Sequence, residues 1–231
     1  MKTIVIFLCF SFIAVGCKKP INDATMKIHA YNALDNSGVD SIFVSVSKQP
    51  SGDVGNTKKM ASGYTDESGN LTLIYSKTKL TRSFRTVVHN FNSNYIVIQK
   101  YLNGNEWNGD GQIGGKKETD IDIQCAPISW LDLSFTNQNC FNDNDSLFLS
   151  EVNILTGDIT FSDHWNTAKN EYEGVLATGC FEWSVANTTY FKTNAGNRRY
   201  YGYIKRDNGT TYFDTTIFVQ PGLDNFIELF F

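Results

Sequence analysis

The chain has 231 residues, of which 41% are hydrophobic, 14% aromatic and 19% charged. That apolar content excludes wholesale disorder, because enough surface can be buried to offset chain entropy. Twenty basic against 24 acidic side chains give a net charge of −4, and no Lys/Arg block stands out along the sequence. A nucleic-acid footprint is therefore not expected.

Met1 to Gly16 reads as a signal peptide, with Lys2 as the positive n-region and Ile4 to Ile13 as an apolar h-region of the usual ~7–15 residues. The run Ala14-Val15-Gly16-Cys17 resembles the bacterial lipobox, in which small residues precede a cysteine that receives diacylglycerol before cleavage. Ala14 stands where Leu is usual. A membrane-spanning helix would need ~20 apolar residues, and Lys18-Lys19-Pro20 follows at once. The mature protein is thus expected to begin at lipidated Cys17, with residues 17–25 as a tether. Loss of Lys2 leaves 19 basic and 24 acidic side chains. Acyl chains hold such a protein to a membrane without crossing it. A basic residue after the cysteine resembles outer-membrane sorting, so an outer-membrane partner surface is expected, with the periplasmic or external face left open.

Beyond the tether almost everything reads as strand. Met26 to Tyr31 alternates, placing Met26, Ile28 and Ala30 on one face, and Ser41 to Ser47 places Ile42, Val44 and Val46 together. Asp35-Asn36-Ser37-Gly38 is a turn cluster. Gly63 to Asn70 leads through a turn into a strand at Leu71 to Tyr75. Phe84 to His89, Tyr95 to Tyr101 and Asp120 to Gln124 follow as strands, with a Gly/Asn-rich loop at Asn103 to Lys117.

The strand in Gly38-Val39-Asp40-Ser41-Ile42-Phe43-Val44-Ser45-Val46, followed by Gly63-Tyr64-Thr65-Asp66-Glu67-Ser68-Gly69-Asn70-Leu71, resembles the transthyretin-like (prealbumin-like, carboxypeptidase-regulatory-like) domain. In that family a Thr-Asp-x-x-Gly turn joins two strands of a seven-stranded sandwich. The residue chemistry suits such a turn: Asp66 can bond the backbone that follows it, and Gly69 can adopt positive φ. The resemblance covers residues 25 to 127 and departs from the family at the long Asn103–Lys117 insertion. It implies an accessory, usually non-catalytic module of the kind found on surface and outer-membrane proteins of Bacteroidetes-type bacteria.

Residues 128–231 read as a second β-sandwich, Ig-like or related. Strands are expected at Ser129 to Phe135, Ser146 to Asn153, Cys180 to Val185, Arg199 to Lys205, Thr211 to Val219 and Asn225 to Phe230. Asp207-Asn208-Gly209 is a hairpin signal, and Pro221 to Asn225 turns the chain into its last strand. The fold class is all-β, in two sandwich domains, 26–127 and 128–231. The spacing of Ile227, Leu229 and Phe231 also resembles the closing strand of an outer-membrane barrel, but most strands fall short of the ~9–11 residues a barrel needs.

Candidate chemistry is sparse. There is no Gly-x-Ser-x-Gly elbow, no His-Glu-x-x-His and no phosphate loop, and His29, His89 and His164 are scattered. No cofactor and no enzymatic activity are expected. One loop carries oxygen side chains at alternate positions, Glu106, Asn108 and Asp110, before Gly111, as the start of a Ca2+ loop would. The match lapses at its twelfth position, which is Lys117. Asn142-Asp143-Asn144-Asp145 is a second acidic cluster. Trp107, in the Gly/Asn loop, is a candidate ligand contact able to stack on a sugar ring. Trp130, Trp183 and the tyrosines at 200, 201 and 203 are expected to pack the sandwich. Of the cysteines beyond Cys17, three pairings are open among Cys125, Cys140 and Cys180. Cys140 with Cys180 is favoured because both lie in the second half. The expected function is a lipid-anchored, non-catalytic binding or structural module for a glycan, peptide or envelope protein. The alternative is a hydrolase or Ca2+-dependent processing factor with a site assembled from dispersed residues.

Overall fold

The computed structural model describes residues 22–48, 58–77, 83–108, 110–114, 117–157, 159–160, 165–166, 171–172, 177–180, 182–184 and 191–230. The expected signal peptide, Cys17, the expected tether up to residue 21 and His164 lie outside them. Among the described residues the chain is all-β. Its strands are β1 (Asn22–Asn32), β2 (Ile42–Lys48), β3 (Lys58–Tyr64), β4 (Asn70–Lys77), β5 (Ser83–Asn90), β6 (Tyr95–Leu102), β7 (Asn105–Glu106), β8 (Asp110–Gly114) and β9 (Glu118–Thr136). There follow β10 (Ser146–Asn153), β11 (Ile159–Thr160), β12 (Trp165–Asn166), β13 (Glu171–Tyr172), β14 (Ala177–Thr178), β15 (Glu182–Ser184), β16 (Phe191–Asn194), β17 (Gly196–Arg206), β18 (Gly209–Val219) and β19 (Asp224–Phe230).

Two sheets face each other in the first half, ordered β4-β1-β9-β6-β7 and β3-β2-β5-β8. Period-two alternation supplies the core between them. Met26, Ile28 and Ala30 point inward from β1, Ile121, Ile123 and Cys125 from β9, and Ile42, Val44 and Val46 from β2. Phe84 joins from β5 and Tyr75 from β4, their rings 4.9 Å apart edge to face. The Ile, Val, Met and Phe side chains among them, withdrawn from water, each contribute about 1.5–3 kcal/mol.

The β3–β4 turn is built as its residues predict. The Oδ1 atom of Asp66 accepts the amides of Ser68 and Asn70, each at 2.9 Å. Gly69 sits at φ 76°, its amide donating to the Asp66 carbonyl at 2.8 Å. A Cβ at Gly69 would lie 1.9 Å from the Ala30 carbonyl oxygen, so the turn is pressed against β1 at a spot only glycine fits.

Strand β9 is one 19-residue strand where the sequence suggests two, and the expected domain boundary at 127/128 falls inside it. Its first half lies parallel to β1, up to Asn32 opposite Cys125, and antiparallel to β6, up to Tyr95 opposite Pro127. Its second half is antiparallel to β16 from Ile128 and to β15, and parallel to β19 from Trp130. Pro127 stands at this exchange of partners, where a missing N–H costs no ladder bond.

The second half forms its own core. Leu131, Leu133 and Phe135 of β9, with Ile227 and Leu229 of β19, pack on Leu147 and Leu149 of β10, Tyr200 and Ile204 of β17 and Val219 of β18. These last three strands belong to a sheet ordered β11-β10-β17-β18. Asp207 and Asn208 make the two-residue turn of the β17–β18 hairpin, with Arg206 opposite Gly209. Two buried polar groupings fix the ends of this sandwich. At one, Arg198 pairs with Glu151 at 2.9 Å and also donates to the Asn194 carbonyl and side chain at 3.2 Å. At the other, Asp145 accepts from the Phe141 amide at 2.9 Å and the Asn137 side chain at 3.0 Å, with Arg206 3.4 Å away. The second grouping lies beside a disulfide that joins Cys140 to Cys180 with a Cα–Cα distance of 5.1 Å. Cys125 is a buried free thiol.

Candidate functional site

The exchange of partners along β9 leaves a groove of about 610 Å3, lined by Asn32, Ser93, Asn94, Tyr95, Pro127, Ile128, Trp130, Lys192, Pro221 and Gly222. Its origin is topological. On one edge of β9, the ladder with β1 ends at Cys125 and that with β19 begins at Trp130, so the chain between them lacks a neighbouring strand on that side. The end of β1, the start of β6 and the turn before β19 wall the gap.

Trp130 is the large apolar group in this groove. The alternation that buries Leu131, Leu133 and Phe135 turns Trp130 to the opposite face, where it is 38% exposed. This corrects the expectation that Trp130 packs the sandwich. Its cross-strand neighbours are Lys192 on β16 and Asp224 on β19, so an ammonium and a carboxylate flank the indole on its own face.

The walls are tied together by hydrogen bonds. The Trp130 amide donates to the Leu223 carbonyl at 3.2 Å, and the Gly222 amide to the Ile128 carbonyl at 2.9 Å. Asn225 closes the Pro221-Gly222 turn from below. It accepts the Gln220 amide at 2.7 Å and donates to the Ser129 hydroxyl at 2.9 Å, and Ser129 in turn donates to the Gln220 and Leu223 carbonyls. The Ile128 amide donates to Asn94 and the Ala195 amide to Pro127, both at 2.8 Å. Such a site can hold a flat apolar face against the indole while amide, hydroxyl and charged groups on its rim take up polar substituents.

The residues singled out in the sequence are dispersed. Trp107 is half-buried and packs on the first core, which corrects its reading as an exposed loop indole. The chain turns back at Asn103-Gly104, both at positive φ, so that β7 pairs with β6 and the Trp107 amide donates to the Lys100 carbonyl at 2.9 Å. Trp107 lines a small cavity of about 180 Å3 with Val97 to Lys100. Glu106 lies on β7 in one sheet and Asp110 opens β8 in the other, opposite Val87. Asn108 is exposed between them, and the Asp110 side chain is outside the described residues. Among the described residues no three His, Cys, Asp or Glu side chains come together as a metal cluster.

The acidic run at 142–145 is a structural corner. Burial pushes the Asp145 carboxyl up, but the Phe141 amide, the Asn137 side chain, Arg206 and the Asn142 backbone outweigh that and hold it below its ordinary value. His29 lies opposite Asp122 on β9, its Nδ1 4.0 Å from the carboxylate, with both side chains about half exposed. His89 belongs to an outward cluster of rings with Phe43, Tyr64 and Phe91. Burial pushes the Cys125 thiol up to about 12, which keeps it protonated.

No family model matches the chain, and no curated protein matches it. Among solved structures it is similar to the Bacillus anthracis TIE protein, at 10% identity and a TM-score of 0.34, over 90% of this chain and 33% of that one. It is also similar to a Streptococcal ancillary pilin, at 12% identity and 0.31, over 91% and 63%. The shaft pilin SpaA from Lactobacillus rhamnosus GG is matched at 11% identity and 0.32, over 90% and 97%. The chain spans a third of the length of the first of these and under two thirds of the second.

Proposed function

We propose that the chain is a lipid-anchored, non-catalytic binding module of the outer membrane, its first domain transthyretin-like, and that its ligand is a saccharide held in the Trp130 groove. The observation that carries this reading is an indole turned out of the core into a groove whose walls are locked by the Ser129–Asn225 hydrogen bonds. Sugar rings present an apolar face edged by hydroxyls, which matches an indole flanked by Lys192, Asp224, Asn32 and Asn94. Preorganised walls reduce the ordering cost of binding. The Asp66–Gly69 turn supports the transthyretin-like reading, and Ala14-Val15-Gly16-Cys17 supports the anchor.

The test is a saccharide array probed with the mature chain and with Trp130→Ala, followed by titration of whatever is retained. Truncation of a central aromatic anchor removes about 2 kcal/mol or more of binding, so affinity falls at least about tenfold while the melting temperature holds. An array with no retained saccharide, or equal binding by the variant, sinks the proposal. The anchor is checked separately: Cys17→Ser abolishes lipid labelling and releases the protein from membranes.

A further inference from the structure

The fold distributes charge unevenly. In the first sandwich, β1 starts at Asn22, opposite the last residue of β4, Lys77, and runs toward the groove. Near its start Thr25 lies opposite Glu118, and its amide donates to the Lys117 carbonyl at 2.9 Å. In the facing sheet β2 ends at Lys48, opposite Lys58 and Phe84, and β5 starts at Ser83, opposite Gly114. These strand ends form the pole of the domain remote from the groove. The described residues carry 13 Lys and Arg and 20 Asp and Glu. Six of those cations, Lys48, Lys58, Lys59, Lys77, Arg85 and Lys117, belong to this pole, against two carboxylates, Asp23 and Glu118. The remainder is left with seven cations and 18 carboxylates. Lys58, Lys59, Arg85 and Lys117 are exposed, and the Lys59 ammonium lies 5.3 Å from the centre of the Phe43 ring.

We infer that this basic pole docks on an anionic lipid bilayer surface. Charge complementarity is the first argument: phosphate-bearing headgroups attract a cluster of cations, and the other described residues, strongly acidic in sum, are repelled and turned away. The second rests on the anchor proposed above. Asn22 follows Cys17 by five residues, a reach of at most ~18 Å in extended chain, so an acylated Cys17 holds this pole against the bilayer. The arrangement also points the Trp130 groove, at the opposite end of the first domain, away from the membrane.

The test uses the mature chain with Cys17→Ser, which carries no lipid, in sedimentation with vesicles of phosphatidylglycerol and phosphatidylethanolamine or of phosphatidylcholine alone. Binding is expected to the anionic vesicles only, and to weaken as sodium chloride is raised. The variant Lys58→Gln/Lys59→Gln/Lys117→Gln, three exposed positions, retains its circular dichroism spectrum and partitions on the order of a hundredfold less. Equal partition onto both vesicle types overturns the proposal, as does undiminished binding by the triple variant. Retention by a DNA duplex with none by vesicles overturns it too. Because the probe lacks the anchor, a native chain that proves unacylated overturns the anchor and leaves the vesicle result standing.

Discussion

Asp145 shows how a single carboxylate organises a corner of the second domain. It is fully buried and receives the Phe141 amide and the Asn137 side chain, while Arg206 lies close by and also donates to Asn137 at 3.0 Å. Its carboxyl is held below the ordinary value, so in the unfolded chain it binds a proton at higher pH than in the folded one. The stability it supplies is therefore complete above the unfolded carboxylate range, about pH 4, and is lost as pH falls through the lower folded value. Urea midpoints measured from neutral to strongly acid pH should drop for the native chain. Asp145→Asn should be less stable at neutral pH, with the gap between the two closing in acid. A gap that stays constant across pH would show that the carboxylate's charge is not what holds the corner. Trp130 teaches a second lesson at this scale. Its hydrophobicity points to the core, yet its phase relative to Leu131 puts it outside, and that phase is readable in the sequence.

Among the elements, turns were more legible than strand partners. Asp66 and Gly69 mark the β3–β4 turn chemically, and Asp207-Asn208-Gly209 marks the β17–β18 hairpin. By contrast β3, with the sequence Lys-Lys-Met-Ala-Ser-Gly-Tyr, has neither alternation nor β-branched residues, and it is a strand because β2 offers it a ladder. The same holds for β8, whose Asp-Gly-Gln-Ile-Gly reads as loop until β5 pairs with it. Strand propensity is largely a matter of context. At the β3–β4 turn the fold tolerates no side chain. Gly69→Ala should lower stability by about 1–3 kcal/mol from its positive φ alone, and the overlap with the Ala30 carbonyl adds to that. Chemical denaturation of the variant measures this. An unchanged midpoint would mean that the turn relaxes away from β1.

For the whole molecule, the question is whether one long strand makes one cooperative unit. Among the described residues none of the first core belongs to the second, although β9 supplies both. The disulfide spans 40 residues within the second half and on a chain-entropy account stabilises it by about 4 kcal/mol. Calorimetry of the mature chain should resolve two transitions, and reduction should lower one of them by about 10 °C or more while leaving the other in place. A shift of both together would show that β9 couples the halves into a single folding unit.

What the sequence determined alone is what depends on near neighbours. The all-β class, the inward faces of β1 and β2 and the turn residues all follow from periods of two and from short-range chemistry. What the tertiary structure decided depends on residues far apart in the chain. It made β9 one strand, because β1 and β6 hand over to β19 and β16 where Pro127 needs no partner. It opened the groove at that exchange and gathered at one pole lysines that form no block in the sequence. Pairing between distant strands sets each of these, and a local pattern does not record which strand lies next to which.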